Sequence, residues 1–80
     1  MELIILEDKK KINKMISNRC RGKLHEKRIT MRDVAASLKM SESTIYKKMS
    51  GQSEITAAEL FLIAFYFRLT HEEVNYILYG

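Results

Sequence analysis

The chain has 80 residues, 46% of them apolar, with no proline, three glycines and one cysteine. That length makes one small domain, the lone cysteine excludes an intrachain disulfide framework, and the scarcity of glycine and proline favours helices with short turns over a β-rich fold. The net charge of +4 is uneven: residues 9–28 hold nine Lys and Arg against Glu26 alone, a local +8, and the rest is near neutral or acidic. A basic stretch of this kind is either a solvated helix face or the electrostatic footprint of a protein that meets a polyanion.

Residues 1–7 read as an N-terminal extension. Its apolar run, Leu3-Ile4-Ile5-Leu6, is too short to span a membrane and lacks the basic flank of a signal peptide. It is expected as a short strand or a first helical turn, covering the core or adding to a dimer contact. With no sign of an oxidising compartment, the cytoplasm is the expected location. Asp8 is expected to cap a helix running to about Leu24. Ile12, Ile16, Cys20 and Leu24 recur every four residues as its inward stripe, with Met15 beside them. Gly22 weakens the last turn by about 1 kcal/mol relative to alanine. Cys20 reads as a small core residue. His25–Arg28 is then a polar connection, and Ile29 turns inward.

Residues 30–51 organise the chain. Thr30 is a cap for the helix 30–38, and Asp33 puts a negative charge in its first turn. Val34, Ala35 and Leu38 form its apolar face. Met40 and Ser41 staple and cap a second helix, 42–50, which Gly51 ends. Ile45 and Met49 form the buried face of that helix, while Glu42, Ser43, Tyr46 and Lys47 lie opposite. Ala35 is small enough to let the two backbones cross closely, and Ile45 plugs the crossing.

Residues 52–55 read as a loop. Thr56 and Glu59 form a capping box for a helix over 56–68. Leu60, Ile63, Ala64 and Phe67 fall on its inward face. Phe61, Leu62, Phe65 and Tyr66 cover most of the remainder, so this helix is either central to the core or partly an oligomer contact. Thr70 and Glu73 are a further capping box, opening a helix over 71–78 with Val74, Ile77 and Leu78 on one face, Tyr76 and Tyr79 nearby, and His71 exposed in the first turn. The expected fold is all-α, a bundle of five helices in one domain over residues 1–80.

Chemistry-bearing residues are few. His25, His71 and Cys20 form no H-x-x-x-H or C-x-x-C pair, and no glycine-rich phosphate loop is present. Glu72 and Glu73 are adjacent, so on a helix they diverge by about 100°. No enzyme, cofactor or metal is expected.

Two helices of about two turns joined by three or so residues match the helix-turn-helix. Val34, Ala35, Leu38, Met40, Ser41, Ser43-Thr44-Ile45 and Gly51 make the segment resemble the phage-repressor (Xre, Cro/CI-like) helix-turn-helix family. Residues 46–54, Thr56, Glu59, Leu69, Thr70, Glu72 and Glu73 are similar to a small phage-regulator branch of it, and the match covers roughly residues 10–78. The chain departs from the pattern at Lys39, where glycine is usual, at Met31, where many members carry glutamine, and at Glu42, where glutamine or a basic residue is more common. The resemblance implies a lambda-repressor-like bundle that binds operator sequences in double-stranded DNA as a phage or prophage transcriptional regulator. Its second motif helix would enter the major groove.

On that reading Ser43 and Lys47 lead the contacts to base edges. Lysine donates to guanine O6 and N7, serine is permissive, Glu42 accepts from cytosine N4, and Tyr46 meets a phosphate, a sugar or a thymine methyl. Thr30, Arg32, Lys48, Ser50 and Gln52 are placed for backbone contacts, and Lys10 and Lys14 of the basic helix add sequence-independent, salt-sensitive affinity. A homodimer is expected, because two recognition helices match half-sites one turn (~34 Å) apart. The rival is a protein-binding module on the same fold, an anti-defence inhibitor or an antitoxin, which the acidic Glu42 favours.

Overall fold

Three threonines and a serine set the starts of four of the five helices. The computed structural model describes residues 6–80, arranged as α1 (Leu6–Glu26), α2 (Met31–Leu38), α3 (Glu42–Met49), α4 (Ala57–Tyr66) and α5 (His71–Tyr79). The Thr30 hydroxyl accepts from the Asp33 backbone N–H at 3.1 Å while the Asp33 carboxylate accepts from the Thr30 N–H at 3.0 Å. The same reciprocal pair joins Thr56 to Glu59 and Thr70 to Glu73. Ser41 accepts from the Thr44 N–H at 3.1 Å. Each box satisfies helix-end donors that would otherwise be left to water.

The C-terminal ends of α1 to α4 share one geometry. Arg28, Lys39 and Arg68 adopt left-handed backbone angles (φ 61°, 56° and 54°), as does Gly51 (φ 85°). The following N–H then reaches back five residues: Ile29 to the Leu24 carbonyl at 2.9 Å, Met40 to Ala35 at 2.9 Å, Gln52 to Lys47 at 2.9 Å and Leu69 to Ala64 at 3.0 Å. This is the Schellman closure. A side chain in that conformation costs roughly 1 kcal/mol. At the three cationic positions the next residue, Ile29, Met40 or Leu69, packs against the core and offsets it.

Several boundaries differ from expectation. α1 is already helical at Leu6, so Asp8 lies within it and does not cap it, and residues 6–7 belong to the helix and not to an extension. The strand or turn expected over residues 1–5 lies outside the described residues. α1 passes through Gly22 and ends at Glu26, where Arg28 reverses the chain. α4 stops at Tyr66 because Arg68 is left-handed.

Packing joins α1 to α3 and α5, and α2 to α3 and α4. The core is Cys20, Leu24, Val34, Ala35, Ile45, Met49, Ile55, Leu60, Ile63 and Ile77. The inward stripe of α1 is rotated from expectation. Ile12 is 42% and Met15 46% exposed, whereas Ser17 is fully buried. Asn13, half-buried, donates through Nδ2 to the carbonyls of Gly51 (3.3 Å) and Ser53 (3.4 Å), tying α1 to the loop after α3. Among the described residues no helix is long and apolar enough to cross a membrane.

Candidate nucleic-acid interface

α2 and α3 form one bihelical unit, turned at residues 39–41. Ile45 and Met49 are each 1% exposed and fix the roll of α3 about its axis. At about 100° per residue, that roll places Ser43 and Lys47 directly opposite the buried stripe. Both are exposed. Glu42 and Tyr46 lie on the flank that faces the α1–α2 side, and Tyr46 is 59% exposed. All four side chains expected to meet bases are exposed, Ser43 and Lys47 opposite the buried stripe, Tyr46 beside them and Glu42 at the rim nearest Met49.

Glu42 is not an isolated anion on it. The Arg32 guanidinium of α2 stands 3.7 Å from its carboxylate. Both side chains are largely in water, so the pair contributes little to stability. Its local effect is to offset the negative charge at the tip of α3.

Apart from Arg32, which stands beside Glu42, the residues expected at the phosphate backbone fall into three groups. Lys10, Lys14 and Gln52 come together: Lys9, Lys10 and Gln52 line one groove beside α1. Gly51 lies so close to α1 that a Cβ there would sit 3.1 Å from Lys14 Cα. Glycine is thus needed at that position for contact as well as for its φ. Thr30 and Ser50 are at the edge of the surface with their hydroxyls engaged, Thr30 in its capping box and Ser50 donating to the Lys47 carbonyl at 3.1 Å.

Lys48 is the exception. Its ammonium lies 3.0 Å from the Glu59 carboxylate and donates to the Glu54 carbonyl at 2.9 Å, and the two side chains are only 14% and 15% exposed. It latches α3 to the start of α4 and does not join the exposed row. Burial pushes the Glu59 carboxyl up, but the Thr56 N–H and the Lys48 ammonium together hold it below its ordinary value.

Two cations not singled out from the sequence border the same surface. Arg21 and Arg28 line a groove with His25, Thr30, Met31 and Tyr46. Arg21 follows Lys10 and Lys14 at helical spacings of eleven and seven, so all three share one edge of α1 beside α3. That spacing was available in the sequence. The place of Arg28 depends on its left-handed backbone, for which the sequence carries no glycine signal.

Lys23 of α1 and Lys27 just beyond its end are committed elsewhere. Lys23 lies 4.8 Å above the Tyr76 ring and 3.3 Å from Glu26, and Lys27 pairs with Glu73 at 3.3 Å. The basic helix therefore has two sides, one fastened to α5 and one open beside α3.

Among the described residues no cluster of three or more His, Cys, Asp or Glu is placed to hold a metal ion. Cys20 is buried, and burial pushes its thiol up to about 12, the opposite of an activated nucleophile. Comparison with family models, with curated proteins and with solved structures finds no match to this chain.

Proposed function

We propose that the chain is a sequence-specific, double-stranded-DNA-binding transcriptional regulator of the phage-repressor kind, working in the cytoplasm as a homodimer with α3 as its recognition helix. The observation that carries this reading is the exposed row Glu42, Ser43, Tyr46 and Lys47 on a short helix held rigid by Ile45 and Met49, with the open basic edge of α1 beside it. A helix about 10–12 Å across fits the major groove of B-form DNA.

In that groove Lys47 donates to guanine O6 and N7, and Ser43 pairs with a base edge as donor or acceptor. Glu42 accepts from cytosine N4, and Arg32 beside it softens its repulsion of nearby phosphates. Tyr46 packs on a sugar or a thymine methyl. Lys10, Lys14 and Gln52 at one end of α3 and Arg21 and Arg28 toward the other hold the two phosphate ridges. They set register without reading sequence.

The test is a pair of substitutions in the row, Lys47→Ala and Ser43→Ala. Both side chains are exposed, so circular dichroism and melting temperature should match the parent. Lys47→Ala is expected to relax preference at one base position by about 1–3 kcal/mol, whereas Lys10→Ala weakens binding evenly across sequences and lowers the salt slope by about 1. Unchanged base preference in both row variants would show that α3 is not the reader.

A further inference from the structure

Beyond Glu59, α4 is apolar on every side, and the fold leaves one of those sides uncovered. α4 packs on α2 and α5 packs on α1, but α4 and α5 do not pack closely on each other. Between them runs an open groove of about 620 Å³, with Ile16, Leu60 and Leu69 among the residues at its floor and Val74 and Leu78 on the α5 side. Phe61 and Phe65 form its other wall and stand proud of it, each 67% exposed. Their rings lie 6.4 Å apart and nearly parallel, at 12°, and the Phe65 ring meets Tyr66 edge-on at 5.6 Å. The result is a continuous aromatic ridge next to an apolar groove. With Leu62 at 37% and Tyr66 at 51% exposed, the ridge leaves on the order of 400 Å² in water, the size of a small protein's largest apolar patch, which is often functional.

We propose that ridge and groove are the two halves of a dimer interface, and that the occupant is a second copy of this chain. The Phe61–Phe65 ridge of each protomer seats in the α4–α5 groove of the other. Three observations point to this occupant. Ridge and groove lie side by side on one face, which is the condition for an isologous two-fold contact, where each patch meets its own complement. Among the described residues lining the groove there is no Lys, Arg, Asp or Glu, so a polyanion finds no lysine or arginine there. Ridge and groove together present on the order of 500 Å² per protomer, and the two-fold doubles this to the ~1,000 Å² that a specific interface needs. The face also leaves α3 free, since Ile16 of α1 is the one lining residue from the first three helices. The proposal deepens the regulator reading, on which its purpose rests, but it is tested without DNA.

Sedimentation equilibrium of the full chain is compared with that of Phe61→Ser/Phe65→Ser, and with Tyr79→Ser as a control that is 78% exposed outside the groove. The parent is expected to dimerise reversibly, the double variant to weaken the dimer at least about a hundredfold, and the control to leave it within about threefold. Circular dichroism checks that both variants remain folded. Amide shifts of the parent on dilution give a second readout, independent of any substitution, and should concentrate in residues 56–65 and 71–78. A parent that stays monomeric up to its solubility limit overturns the proposal and leaves the face to a different apolar partner. A double variant that dimerises like the parent, or dilution shifts centred elsewhere, also overturns it. A dimer through this face that ignores DNA sequence would sink the regulator reading and keep the interface.

Discussion

Ser17 is fully buried in α1, and its hydroxyl has no hydrogen-bond partner among the described residues. An unpaired buried hydroxyl costs about 1–3 kcal/mol, so Ser17→Ala is expected to stabilise the fold by about 1 kcal/mol in urea unfolding. A loss of stability would show that the hydroxyl is satisfied. Helix geometry explains how Ser17 came inside. Steps of four advance an α-helix by about 40° beyond a full turn, so Ile12 lies roughly 80° from Cys20 and out of the core face. The same rotation brings Asn13 and Ser17 in line with Cys20 and Leu24. An apolar spacing of four marked a helix correctly but drifted off its own face over three repeats. Polar residues on the true face were passed over because polarity alone argues for solvent.

The helices show a division between legible starts and illegible stops. Threonine followed three residues later by a carboxylate announces Thr30, Thr56 and Thr70 as caps, and all three boxes form. Gly51 announced the end of α3. The ends at Arg28 and Arg68 carry no such mark, because the left-handed residue is a cation and its cost is offset by tertiary packing of Ile29 and Leu69. The boxes make stability depend on pH. The Thr30 backbone N–H holds Asp33 below its ordinary 3.8, and the Thr70 N–H does most to hold Glu73 below its ordinary 4.5. Glu59 is depressed too, against its own burial. The folded state thus binds these protons less readily than the unfolded chain. The contribution is complete above 4.5 and is lost as pH falls through the lower folded values. Melting temperature should therefore drop on acidification below that point, and a flat profile would contradict the cap assignments. Lys48 tests the latch between α3 and α4. Lys48→Met leaves Glu59 half-desolvated without its partner and is expected to cost about 1–2 kcal/mol, between exposed and buried ion pairs. The salt slope of DNA binding by the folded variant should match the parent; a slope lower by about 1 would return Lys48 to the phosphate contacts.

At the scale of the whole molecule, charge and apolar surface are sorted to different places. The open cations of α1 flank α3, Lys23 and Lys27 fasten α1 to α5, and the uncharged aromatic ridge lies on α4. The exposure of Ser43 and Lys47 on α3 was legible because Ile45 and Met49 define the opposite face within a single short helix. The assignment of Lys48, the recruitment of Arg21 and Arg28, and the uncovered side of α4 were not. Each depends on which element packs beside which, and helical periodicity carries no such information. The central claim is that α3 reads sequence in a duplex while the α1 edge holds phosphates. Selection of bound duplexes from a random library, followed by affinity against salt, tests it most directly. The expected result is a palindrome with half-sites one helical turn (~34 Å) apart, and an affinity that falls linearly on logarithmic axes with a slope of about −0.9 for each phosphate contacted. Salt-dependent retention with no enriched sequence would contradict the claim, reducing α3 from a reader to one more surface of a basic protein.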